Sequence, residues 1–183
     1  AIAQVEKEGL DAAAIRPVMI HAQLLGLDQL PELKRLGVLP SFFVAHVYHW
    51  GDVHVKNLGP ERAAHISPAG SAARLGIPFT FHQDAPVIRP DMLETVWCAV
   101  ERRMKDGSVL GPEERVDVWT ALKAVTANAA YQYFEEDQKG TLAPGKRADL
   151  VVLDRDPTRT VGESLGTIRV LETWKDGVRV FER

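Results

Sequence analysis

Three short segments place metal-ligating or proton-carrying side chains at or just beyond the end of an apolar run. VMIHAQL carries His21, FFVAHVYHWGDVH carries His46, His49 and His54, and FTFHQDAPV carries His82 and Asp84. Imidazole suits zinc and similar divalent ions. A carboxylate beside a metal-activated water can accept its proton and later hand it to a leaving group. Taken singly, each residue has a plainer reading. His21 could be a core histidine with a satisfied hydrogen bond, Asp84 a turn or helix cap, and the histidines of 46–54 part of a polar loop. As part of a strand end and loop, those three lack helical i, i+4 spacing and zinc-finger spacing, which argues against a metal site built from them alone. His46 is the best placed of them to face a site, and His49, Trp50 and Asp52 could line a pocket. His82 precedes Asp84 by two residues, so strand alternation sends both to one side if the strand runs that far. Random placement would scatter such residues to both ends of the runs; here they gather at one end of three in succession.

The elements that must position them read as three strand-then-helix units. Strands are expected at 15–21, at 38–48 and at 77–82, the second so continuously apolar that it suggests burial on both faces, as in a parallel sheet. Asp28 is expected to cap a helix over 29–36, with Gly37 ending it. Ser67 and Pro68 read as N-cap and first residue of a helix that ends at Gly76. Asp91 and Glu94 read as a capping box for a helix through about residue 105, and 113–134 as one further helix. Between the second strand and the Ser67 helix, WGDVHVKNLG reads as a polar loop. Beyond Lys139 the pattern changes. A strand at 150–153 and a hairpin turning on Asp176-Gly177 form a small β unit. Repeating strand–helix units mean parallel α/β architecture, whose active sites lie at the C-terminal edge of the strands. Three units cannot close an eight-stranded barrel.

Composition sets the bounds. Hydrophobic residues make up 45% of the 183 residues and charged residues 26%, which is ordinary for a globular protein. A formal net charge of -3 argues against a nucleic-acid surface, and no apolar run is long enough to span a bilayer. The single cysteine, Cys98, leaves no internal disulfide, and a cytoplasmic location is the default expectation. The chain starts inside the helix-like AIAQVEKEGL without an initiator Met or an N-cap, so a piece of a longer chain is expected.

Taken in order, VMIHAQL, AHVYHWGD, FHQDAPV and KGTLAPGKRADLVVLDRDP resemble the amidohydrolase superfamily, most of all the family-3 amidohydrolases that include N-substituted formamide deformylases. The likeness covers essentially the whole chain, and GTLAPGKRADLVVLD at 140–154 is its most specific stretch. It implies an α/β fold: the last three units of a (β/α)8 TIM barrel over 1–137, and a segment of a composite β-sandwich over 138–183. The strands ending near His21, His46 and Asp84 would be barrel strands six, seven and eight. His21 and Asp84 would ligate the metal, Asp84 would also move the proton, and His46 would help stabilise the oxyanion. His46, His49, Trp50, Asp52 and His82 would meet substrate. The implied cofactor is one or two divalent ions, zinc first, and the implied reaction is hydrolysis of a non-peptide C–N bond of a small molecule by metal-activated water. The family's strand-one His-x-His and strand-five histidine are absent from this sequence. The piece alone is therefore expected to bind metal weakly and to be inactive. Open strand edges make a homo-oligomer the expected state, and a self-associating, non-catalytic α/β module is the alternative function.

Overall fold

A computed structural model of the protein describes residues 2–183. Strands β1 (Val18–His21), β2 (Leu39–Phe42) and β3 (Thr80–Phe81) form a parallel sheet in that order. The register pairs Val18 with Leu39, His21 with Phe42 and Phe42 with Phe81. Every residue of β2 is buried, as suits a central strand of a parallel sheet set in a largely apolar stretch. The helices in chain order are α1 (Ile2–Lys7), α2 (Leu30–Arg35), α3 (His46–Leu58), α4 (Pro60–Ala64), α5 (Ala69–Arg74), α6 (Met92–Glu101), α7 (Val118–Val125) and α8 (Ala127–Gln132). An antiparallel sheet of β4 (Leu150–Leu153), β5 (Val170–Lys175) and β6 (Val178–Glu182) ends the chain. No helix of the described residues is long and apolar enough to cross a membrane.

The main core packs Phe42, Phe43 and Val44 against Val96, Trp97 and Ala121. Burying each large side chain there is worth about 1.5–3 kcal/mol. Leu165 and Ile168, from the turns before β5, sink into the same core, so the C-terminal segment is fastened to the α/β part by side-chain burial. On the other side of the sheet, β1 is an edge among the described residues, with Met19, Ile20 and Leu24 exposed. Arg16 clamps the chain entering β1. Its guanidinium lies 3.7 Å from the Tyr131 ring centroid and 4.2 Å from that of Phe134 and pairs with Glu136, a cation–π stack closed by an ion pair.

Several expected elements are shorter or different in kind. The first strand begins at Val18 because Ala13–Ile15 form a 3-10 turn. The second strand ends at Phe42, and the residues assigned to its tail and the polar loop form α3. Asp28 lies inside a 3-10 turn, where the Gln29 side chain accepts from the Gly26 N–H instead. Ser67 does not cap α5: its backbone turns left-handed (φ 48) and its hydroxyl is buried without a partner. Asp91 caps α6 as expected, accepting from the N–H groups of Leu93 and Glu94, and α6 ends at Glu101, short of residue 105. The single helix foreseen at 113–134 is broken at Thr126 (φ −129, ψ −89) into α7 and α8. The Asp176-Gly177 hairpin forms between β5 and β6 as expected.

Arg102, completely buried just past α6, is the hub beneath α4 and α5. It donates to the carbonyls of Leu110 (2.8 Å), Ile66 (2.9 Å) and Ser67 (3.3 Å). Burial pulls its pKa down to about 10, with Glu114 opposing the shift, so it stays charged at neutral pH. Glu114, equally buried, accepts from the Ser71 N–H (2.8 Å) and hydroxyl (2.7 Å). Removing Arg102 orphans several buried carbonyls and opens a cavity. Arg102→Ala is expected to cost about 3 kcal/mol or more in urea unfolding. An unchanged midpoint would mean that the hub does not hold the fold.

In the C-terminal unit, Asp154 accepts from the backbone N–H (3.0 Å) and the guanidinium (2.9 Å) of Arg169, which hold its pKa at about 2. The folded value lies below the unfolded one of about 3.9. The contact therefore stabilises fully above that value and is lost as pH falls through about 2. The gap in unfolding midpoint between the wild type and Asp154→Asn should shrink steadily between pH 4 and pH 2. A gap independent of pH would contradict this pairing.

Candidate functional site

Parallel register brings the C-terminal ends of β1, β2 and β3 to one rim, and the backbone there turns sharply. His21 (φ 63) and Ala22 (φ 44) end β1 in left-handed conformation, and Asp84 (φ 51) does the same after β3. Non-glycine residues held there are strained and concentrate at functional sites. His82 lies one residue past β3 as defined by pairing, yet its N–H still donates to the Phe42 carbonyl (3.1 Å), so the extended chain carries on to the rim. His46 is the first residue of α3, reached by a buried turn from Phe43 to Ala45.

His21, His82 and Asp84 each offer a ligand atom within 4.8 Å of the other two. His21 Nε2 stands 3.4 Å from Asp84 Oδ2, and the His21 and His82 rings meet edge to face at 4.8 Å. The Nδ1 of His82 contacts the Ser41 hydroxyl (3.1 Å), while its Nε2 is buried without a hydrogen-bond partner. Burial, then the charge of His21, lowers the His82 pKa.

A second group of rings adjoins these. The His46 ring centroid is 6.4 Å from that of His21 and 4.9 Å from that of Trp50. His46 Nδ1 faces His54 Nε2 at 3.2 Å, and the Gln23 amide nitrogen meets that same His54 atom at 2.8 Å. Burial foremost, with His54 and His21 nearby, pushes His46 down to about 4, so it is a neutral imidazole at neutral pH. Trp50, at a kink in α3 (φ −141), is 5.3 Å from His49. His49 Nε2 is fixed by Glu94 Oε1 at 2.6 Å. Asp52 is not brought into this group. It is exposed, because two helical residues beyond Trp50 is slightly more than half a turn, on the opposite face.

The residues expected at the rim are thus brought together, apart from Asp52. The reading of 46–54 as strand end and loop hid the partners: His46, Trp50 and His54 recur every four residues, a helical stripe. Gln23 and Ser41 had no signal in the local sequence, since each matters only through a long-range contact.

The sequence profile of the amidohydrolase family matches residues 1–181. The chain is 34% identical over 165 residues to the N-substituted formamide deformylase of Arthrobacter pascens, covering 89% of this chain and 30% of that enzyme. It is 27% identical to the putative amidohydrolase YtcJ of Bacillus subtilis, covering 90% of this chain and 32% of that protein. An uncharacterized metal-dependent hydrolase of Pyrococcus horikoshii superposes with a TM-score of 0.71 at 27% identity, over 87% of this chain and 32% of that structure. The chain therefore spans about a third of the length of these relatives. With a match running almost from end to end, the chain belongs to the amidohydrolase family, in its family-3 group.

Proposed function

We propose that this chain forms the C-terminal part of a metal-dependent hydrolase that cleaves an amide-type, non-peptide C–N bond in a small molecule. In this reading β1, β2 and β3 are the last three strands of a (β/α)8 barrel over 1–137, and the strands within 138–183 belong to its β-sandwich. The exposed edge of β1 is then where the preceding barrel strand pairs. The family and the metal-dependent hydrolase fold support the reading, and the deformylase relative favours a C–N bond. The observation that carries it is the approach of His21 and Asp84 from the ends of different strands.

Their donor set fits a divalent ion, with zinc as first candidate. Two ligands each about 2.0–2.2 Å from a tetrahedral zinc stand roughly 3.3–3.6 Å apart, and His21 Nε2 and Asp84 Oδ2 are 3.4 Å apart. A bound ion would supply a water acidic enough to attack and would polarise the substrate carbonyl. Asp84 takes the proton of the attacking water and returns it to the departing nitrogen. His46, a neutral imidazole at neutral pH, stands beside His54 and Gln23 and would help stabilise the oxyanion. Trp50 and His49, steadied by Glu94, form the wall beside it.

In the full-length enzyme containing this segment, assayed on N-substituted formamides and other small amides, chelation should abolish hydrolysis and added zinc restore it. Asp84→Asn should lower kcat by about 10²–10⁴-fold with little change in KM. Turnover at the wild-type rate in Asp84→Asn would overturn the assignment of the proton carrier.

A further inference from the structure

His82 behaves neither as a core histidine nor as a surface one. Its Nε2 is buried and unpartnered, a costly state for a polar atom with no ligand to meet. The hydrogen-bond network behind it determines which nitrogen carries the proton. Thr80 has one hydroxyl proton and two neighbours, the Gln132 Oε1 at 2.7 Å and the Ser41 hydroxyl at 2.8 Å. A side-chain amide oxygen only accepts, so Thr80 donates to Gln132. Ser41 must then donate to Thr80, and its remaining capacity is to accept from His82 Nδ1 at 3.1 Å. With the proton held on Nδ1, Nε2 is a bare lone pair. His82 stands with His21 and Asp84 in a group in which each residue offers one ring nitrogen or carboxylate oxygen, these atoms all lying within 4.8 Å of one another.

We propose that His82 is a third metal ligand, presented in the required tautomer by a relay running from Gln132 through Thr80 and Ser41. A ligand imidazole characteristically donates its other N–H to an oriented partner, which fixes the ring and its tautomer. Here that partner is Ser41, on the neighbouring strand β2. His82 raises the protein donors on this rim to three, the number that a catalytic zinc with one open position uses. Substrate contact, the role expected of His82 from the resemblance, gives way to coordination. The inference rests on the metal reading of His21 and Asp84 given above.

The test uses the 183-residue chain, titrated with zinc chloride in a calorimeter, and its metal-free form labelled with ¹⁵N-histidine. The wild type should bind one zinc per chain. His82→Ala should bind at least tenfold more weakly, and Ser41→Ala, which keeps the imidazole but frees its tautomer, should fall between the two. Circular dichroism confirms that each variant remains folded. In long-range ¹H–¹⁵N spectra, His82 of the metal-free wild type should show a protonated Nδ1 and a bare Nε2, a readout that needs no variant. Zinc bound equally by the wild type and His82→Ala, or a protonated His82 Nε2, would overturn this inference and leave the His21–Asp84 pair standing. No zinc bound by the wild type would overturn both.

Discussion

The parallel backbone pairing of β1, β2 and β3 is the constraint from which the rest of the site follows. Bonds from the Leu39 N–H to the Pro17 carbonyl and from the His82 N–H to the Phe42 carbonyl mark its two ends. Because all three strands run the same way, the residues that end them must share one rim. The pairing of His21 with Phe42 and of Phe42 with Phe81 sets them at nearly the same height. Shifting β2 by a single residue would turn its alternate side chains to the opposite face. Ser41 would then leave His82, and Phe42, now fully buried, would lose its place in the core. The packing that stabilises the sheet and the geometry that assembles the rim are therefore the same set of contacts.

Behind the rim, polar side chains link the reactive groups to the packed interior. On one flank the series Gln132, Thr80 and Ser41 ends at His82. On the other, buried Arg102 holds the Ser67 carbonyl, the Ser67 N–H holds the Gln23 carbonyl, and the Gln23 side chain meets His54 and through it His46. His82 thus has one nitrogen committed to the scaffold through Ser41, which leaves the other for chemistry. Positioning of this kind matters because errors of an ångström at a metal or reacting atom weaken binding and turnover steeply.

Much of this was legible in the linear sequence. Apolar runs punctuated by His21 and Asp84 announced a parallel sheet with chemistry at its C-terminal edge, and Asp176-Gly177 announced the hairpin. The sequence was misleading where one signal masked another. The apolar residues from 38 to 48 belong partly to β2 and partly to the buried turn into α3, and a continuous run carries no period that could mark the change. His82 was expected as the last residue of its strand; ladder pairing ends at Phe81, yet the backbone bond from His82 to Phe42 carries the extended chain that far. Glu94 was legible as part of a helix start, but its side chain spends its charge on His49, 45 positions away. Such long-range partners become visible only once the chain has folded.

The central claim is that strand register gathers donor atoms from separate strands around one cation. The most direct measurement is an anomalous difference map at the zinc edge from crystals of the zinc-loaded chain. The account predicts one dominant peak between His21, His82 and Asp84, at roughly 2.0–2.2 Å from an imidazole nitrogen or carboxylate oxygen of each. A peak held elsewhere, such as among His46, His49 and His54, with these three side chains uncoordinated, would contradict it.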